Sequence, residues 1–142
     1  MGKKEQVTRL VLDTNVLVSA LLFRSETSGL LESWRRYAFR LAVSDAILDE
    51  YWRVLTYPRF RLSEQEIASI MEQLVLPFCD RFEPRQSTQV CSDPDDDKFF
   101  HCASAAQATA LVSGDRAILS LRPRYGSVLI LTVKEALLRF CR

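Results

Sequence analysis

The stretch VTRLVLDTNVLVSALLF, residues 7–23, changes its period at an aspartate. Up to Leu12 it is a short apolar run, which suits a strand covered on both faces. From Asp13 onward the apolar residues return every three or four positions, the spacing of one helix face. A strand that passes straight into a helix, with an acid at the joint, opens a βα unit. The pattern recurs along the chain. FRLAVS (39–44) leads into SDAILDEYWRVLTY, TALVSG (109–114) into RAILSL, and SVLILT (127–132) into TVKEALLRFC. LPFCDRF (76–82) is a weaker fifth strand. Further helices are expected in TSGLLESWRRYAF, starting at Thr27 or Ser28, in SEQEIASIMEQLVL, and in DPDDDKFFHCASAAQA. Ser44 is a plausible cap, and Ser63-x-x-Glu66 and Thr132-x-x-Glu135 have the spacing of capping boxes. Residues 83–92 read as a loop. Strand alternating with helix predicts an α/β fold with a parallel sheet and right-handed crossovers.

A length of 142 residues fits a single domain over 1–142 with a sizeable core. The net charge of +1 supplies no bulk basic field, so a nucleic-acid partner would need local patches. No apolar run is long enough to span a membrane. MGKKEQ lacks the apolar core of a signal peptide and the sixth-position Ser/Thr of a myristoylation site. Cys79, Cys91, Cys102 and Cys141 form no CxxC pair, and His101 is the single histidine, which argues against a Cys/His zinc site. Reduced thiols in a cytoplasmic protein are the expectation.

The acids carry the functional signal. In open parallel sheets, ligands bind beyond the carboxyl ends of the strands. Asp13 ends the first strand, Asp115 follows LVSG, and Asp93, Asp95, Asp96 and Asp97 open a helix. Glu50 lies in line with Ile47 and Val54 on an apolar helix face, whereas Asp49, about 100° away, points toward solvent. Asp96 lines up with Phe100 and Ala103, which places it inward. Asp93 and Asp95 then fall to the preceding turn and cap. A lone aspartate at a strand end is ordinarily a helix cap, and DPDDD alone suits a helix N-terminus. Four acids gathered on one sheet edge ask for more. Clustered carboxylates favour Mg²⁺ or Mn²⁺, which can activate water and neutralise a phosphodiester. The expected chemistry is metal-assisted phosphodiester hydrolysis by Asp13, Glu50, Asp96 and Asp115. No Gly-x-Ser-x-Gly elbow and no phosphate-binding glycine loop occurs.

LVLDTNVLVSALL (10–22), SDAILDEYWRVL (44–55), DPDDDKFFHCASAA (93–106) and ALVSGDRAIL (110–119) resemble the ordered motifs of the PIN-domain nucleases. Within that family they are most similar to the VapC-type toxins of bacterial and archaeal toxin–antitoxin pairs. The resemblance implies a three-layer α/β/α sandwich with a mostly parallel central sheet. It implies an Mg²⁺- or Mn²⁺-dependent endoribonuclease in which Asp13, Glu50, Asp96 and Asp115 are the four acids. Asn15 matches a polar position that helps hold the first acid. Ser113 stands where the family often has threonine, and Asp97 where this branch often has asparagine, so the choice between Asp96 and Asp97 stays open. A homodimer and a silencing antitoxin protein are implied likewise.

WRRY (34–37), YPRFR (57–61) and RPRYG (122–126) interleave arginine with aromatics, a mix that can pair phosphates and stack bases. Trp34, Tyr37, Phe60 and Tyr125 are more readily core or interface residues than RNA contacts. Arg59 and Arg61 are the first RNA-binding candidates, because they follow the helix that carries Glu50. His101 is expected to be structural. The competing possibilities are a non-catalytic nucleic-acid- or partner-binding module on the same fold, a phosphoacceptor receiver domain and a haloacid-type phosphatase. The receiver lacks its adjacent acid pair, and the phosphatase lacks its second aspartate, since Asn15 takes that place.

Overall fold

The computed structural model describes residues 7–85 and 88–141, and in it the apolar runs become the strands of one sheet. Residues 1–6, where neither leader nor lipidation signal was read, lie outside that description. The chain runs β1 (Arg9–Leu12), α1 (Thr14–Leu22), α2 (Ser28–Arg35), β2 (Arg40–Val43), α3 (Asp45–Leu55), α4 (Glu64–Ile70), β3 (Cys79–Arg81), α5 (Asp97–Ala106), β4 (Ala110–Val112), α6 (Arg116–Leu119), β5 (Arg124–Tyr125), β6 (Val128–Leu131) and α7 (Val133–Phe140). The sheet order is β3-β2-β1-β4-β6-β5. Every pairing is parallel except β5 with β6. The sheet is the middle layer of a PIN-like α/β/α sandwich.

The strands are buried as their apolar runs require. Leu10, Val11, Leu12, Ala110, Leu111 and Val112 have no exposed surface. Ser44, Ser63 and Thr132 each accept a hydrogen bond from an amide in the first turn of the helix they precede, and the last two complete their capping boxes. Trp34 is fully enclosed, and its indole N–H donates to the Leu74 carbonyl at 2.8 Å. α4 does not continue as regular helix to residue 76. It widens into a π-type turn over Met71–Val75 and closes as a 3₁₀ turn over Leu76–Phe78. Pro77 has no N–H to extend the helical ladder, and the Leu74 carbonyl is already taken by Trp34. The weak strand is accordingly only three residues long. It is pinned at the edge by Asp80, which accepts bonds at 2.9 Å from both Arg9 and Arg40. The two-residue β5 was not anticipated, since two residues show no period.

The order of the strands creates the site. From β1 the chain moves outward to β2 and β3, then returns to lay β4 against the other side of β1. The sheet therefore reverses direction between β1 and β4, where the carboxyl ends of both strands leave a crevice. The Asp13 N–H donates to the Val112 carbonyl at 3.1 Å, so the two strand ends stay in register up to the acids.

Candidate functional site

Asp13 both caps α1 and looks into the crevice. One carboxylate oxygen accepts the Val16 N–H at 2.8 Å, and the other accepts the Ser113 hydroxyl. Ser113 is fully buried and also receives the Asp115 N–H at 2.9 Å, which ties the ends of β1 and β4 together. Asp115 caps α6 through the Ala117 N–H at 2.7 Å. Both aspartates are thus caps and crevice acids at once. α3 is fixed against β1 by the buried Tyr51, whose hydroxyl donates to the Leu12 carbonyl one residue before Asp13. That contact brings Glu50, one residue earlier on the helix, over the crevice, while Asp49 is exposed.

The acids of the DPDDD run take separate places, and Asp97, set on the less apolar helix face, is more buried than Asp96. Asp93 accepts the Asp95 N–H at 3.0 Å and caps a 3₁₀ turn over Pro94–Asp96. Asp96 enters the crevice. Asp97 turns away and accepts the Val90 and Cys91 N–H groups at 3.2 and 2.7 Å, which closes the preceding loop. Asp97→Ala removes that acceptor and strands a buried amide, so it should lower stability by about 1–3 kcal/mol. Chemical denaturation measures the loss, and a change below the error would refute this role for Asp97.

Asp13, Glu50, Asp96 and Asp115 line one cleft of about 200 Å³, with Asn15 and Arg59 at its edges. Asn15 is an exposed lip residue, and the bonds that hold Asp13 come from Val16 and Ser113. Arg61 closes the turn after Phe60 in the left-handed region, φ 53°, and does not line the cleft. Trp34 is core, and His101 bonds the Thr88 carbonyl at 2.7 Å.

Three contacts were not foreseen. Thr14 donates its hydroxyl to one Glu50 oxygen, Lys98 approaches the other at 2.5 Å, and Arg53 lies 3.4 Å from that same oxygen. Lys98 stands 48 residues from Glu50 in sequence, and only the neighbouring DDD hinted that it borders the site.

The electrostatics are those of crowded acids. Burial pushes Asp13 up to about 6, and Asp115 and Glu50 add repulsion, against the lowering effect of the Ser113 and Val16 bonds. Asp96 is pushed up to about 7, again by burial first and then by Asp115, Asp93, Asp13 and Glu50. Its Oδ2 is buried without a hydrogen-bond partner. A buried, unpartnered carboxylate oxygen among further carboxylates is a costly arrangement that a cation relieves. The donor set is all oxygen, as Mg²⁺ and Mn²⁺ prefer. Among the described residues no three acidic, imidazole or thiol side chains already converge on one point. Ser113 and Thr14 hold Asp13 and Glu50 by one oxygen each, and Lys98 is the cationic partner that an ion shared with Glu50 would displace.

An acid-lined crevice at the switch point of a parallel sheet defines a class, the α/β proteins that work on ligands at strand ends. The sequence pattern of the PIN domain matches residues 9–117, and the chain belongs to the PIN-domain family. PIN domains are generally nucleases, hydrolases that use divalent metals. No sequence among the curated proteins matches. The chain is similar in fold to the crystal structure of PAE2754 from Pyrobaculum aerophilum, with a TM-score of 0.58 and 18% identity over 94% of this chain and 89% of that one. No helix among the described residues is long and apolar enough to cross a membrane. All four cysteines are unpaired, and burial pushes Cys79 and Cys102 up to about 12, which keeps them as thiols.

Proposed function

We propose that this chain is an Mg²⁺- or Mn²⁺-dependent endoribonuclease and the toxin of a toxin–antitoxin pair, working in the cytoplasm as a homodimer. The observation that carries the nuclease chemistry is the unpartnered Asp96 oxygen in a cleft shared with Asp13, Glu50 and Asp115. Asp13, Asp96 and Asp115 would hold the cation, with Glu50 completing the set. When bound, the cation lowers the pKa of water and neutralises charge on the phosphodiester. The chain's own residues prepare that chemistry. Ser113 and the Val16 amide orient Asp13, Thr14 orients Glu50, and the Tyr51 bond fixes α3 so that Glu50 faces Asp13. Arg53 and Arg59, at the cleft edge, offer positive charge to phosphates on either side of the scissile bond. The toxin role and the antitoxin partner rest on the motif resemblance.

Incubation of the purified protein with a mixed RNA pool and Mn²⁺ should release fragments, and a chelator should stop it. RNA left intact at every Mn²⁺ and Mg²⁺ concentration would defeat the proposal. Induced expression in a bacterial host, with and without the product of an adjacent small gene, tests the toxin role separately. Growth arrest relieved by that product is the expected result.

Lys98 has a defined place in this scheme. Its ammonium occupies the charge position beside Glu50 that an entering cation needs, so the two compete. Lys98→Met should lower the Mn²⁺ concentration that gives half of the maximal thermal shift, by about threefold or more. A midpoint that stays fixed or rises contradicts the competition.

A further inference from the structure

A second cavity, of about 240 Å³, adjoins the acid cleft along α1. Asn15 and Arg59 line both, so the two spaces share a wall. Asn15, Val18 and Ser19 supply one helical face, and Phe23 and Phe60 close the far end. Phe23 is 52% exposed at the carboxyl end of α1. Phe23 and Phe60 lie 6.2 Å apart with their planes tilted by 54°, which makes an open wedge and not a closed stack. Arg59 lies over Phe60 at 4.8 Å and over Tyr57 at 5.8 Å, on the lining shared with the acid cleft. Phe60 is therefore covered on one side, and Phe23 is the free aromatic platform.

The geometry points to this wedge as a nucleobase subsite that takes an unpaired base of the RNA strand whose phosphodiester lies in the acid cleft. This inference rests on the ribonuclease proposal and deepens it. Three features favour a base over other occupants. An aromatic face accepts any base by stacking, and an arginine on the wall shared by wedge and acid cleft suits the phosphate that joins base to cleft. The cavity falls below the ~300–1,000 Å³ of sites for drug-sized ligands, as a single ring system requires. It also shares Asn15 and Arg59 with the acid cleft, so a base held there is tethered a short way along the strand from the scissile bond. Asp13 and Phe23 flank the two ends of α1, ten residues apart, which at a rise of ~1.5 Å per residue sets Phe23 about 15 Å along the helix axis from Asp13.

The test is steady-state cleavage of short single-stranded RNAs that carry one abasic nucleotide at successive positions, with wild type, Phe23→Ala and Phe23→Trp. Wild type should lose affinity when the abasic nucleotide occupies one particular position. Phe23→Ala should raise KM by about tenfold, the size of one lost stack. It should leave kcat within about threefold and become insensitive to the abasic site at that position. Phe23→Trp should restore the wild-type pattern. Equal KM for wild type and Phe23→Ala, with RNA still cleaved, overturns the subsite and leaves the ribonuclease proposal standing. A smaller particle in sedimentation for Phe23→Ala with KM unchanged overturns it too, and assigns the wedge to contact between copies. No cleavage by wild type defeats both.

Discussion

Asp13→Asn should reduce metal-dependent cleavage by at least about a hundredfold while leaving the fold intact. The asparagine keeps an oxygen for the Val16 amide, so the cap of α1 survives. Ser113 can reorient its hydroxyl toward the new amide. What is lost is one negative charge at the point where β1 and β4 end together. Thermal stability at neutral pH should hold or rise, because the charge removed is buried and disfavoured. Rates measured beside a melting curve separate the two effects. Asp49→Asn is the matched control, since Asp49 is exposed on the same helix as Glu50 and should leave the rate unchanged. Equal cleavage by wild type and Asp13→Asn would remove Asp13 from the site.

Without a divalent cation, stability should fall as pH rises from about 4 to about 7. Asp13 at about 6 and Asp96 at about 7 both lie above their ordinary 3.8. In that window the folded chain binds more protons than the unfolded chain, so the stability slope with pH is negative. Well below the ordinary 3.8 both acids are protonated in both states, and the penalty is absent. Above pH 7 it is present in full, about 3 kcal/mol for the buried Asp13. Asp96 is half-buried and solvent screens part of its penalty. Saturating Mn²⁺ should flatten the slope and raise the melting temperature, because binding favours the ionised folded form. Asp96→Asn should be more stable than wild type in chelator at pH 8 and should gain less from Mn²⁺. A greater loss of the Mn²⁺ shift in Asp97→Asn than in Asp96→Asn would reverse the assignment of the inward acid.

Much of this was legible because it is local. The change of period at Asp13 gives a strand and a helix, and i, i+3, i+4 geometry separates Glu50 from Asp49 without tertiary information, whereas Asp96 and Asp97 stayed undecided until the loop contacts of Asp97 were seen. The parallel order of the strands explains why acids far apart in sequence meet at one crevice. The contacts that tune the acids were not legible. Ser113 reaches Asp13 across 100 residues and Lys98 reaches Glu50 across 48, and each depends on packing that brings separate elements together. Thr14 looked like an ordinary first-turn residue until α3 placed Glu50 above it. The role of Asp97 depends on Val90 and Cys91, in a loop with no period of its own. The wedge between Phe23 and Phe60 was hidden because its two rings come from the ends of different elements. YPRFR marked Arg59 but gave no reason to look at Phe23.

The central claim is that Asp13, Asp96 and Asp115 bind one divalent cation in the crevice between β1 and β4. Crystals grown with Mn²⁺ and measured for its anomalous scattering test it most directly. The expected result is a single strong peak bounded by those carboxylates, in contact with the Asp96 oxygen that now has no partner, and no such peak in Asp96→Asn. Peaks confined to other parts of the surface, in crystals of protein that cleaves RNA, would contradict it.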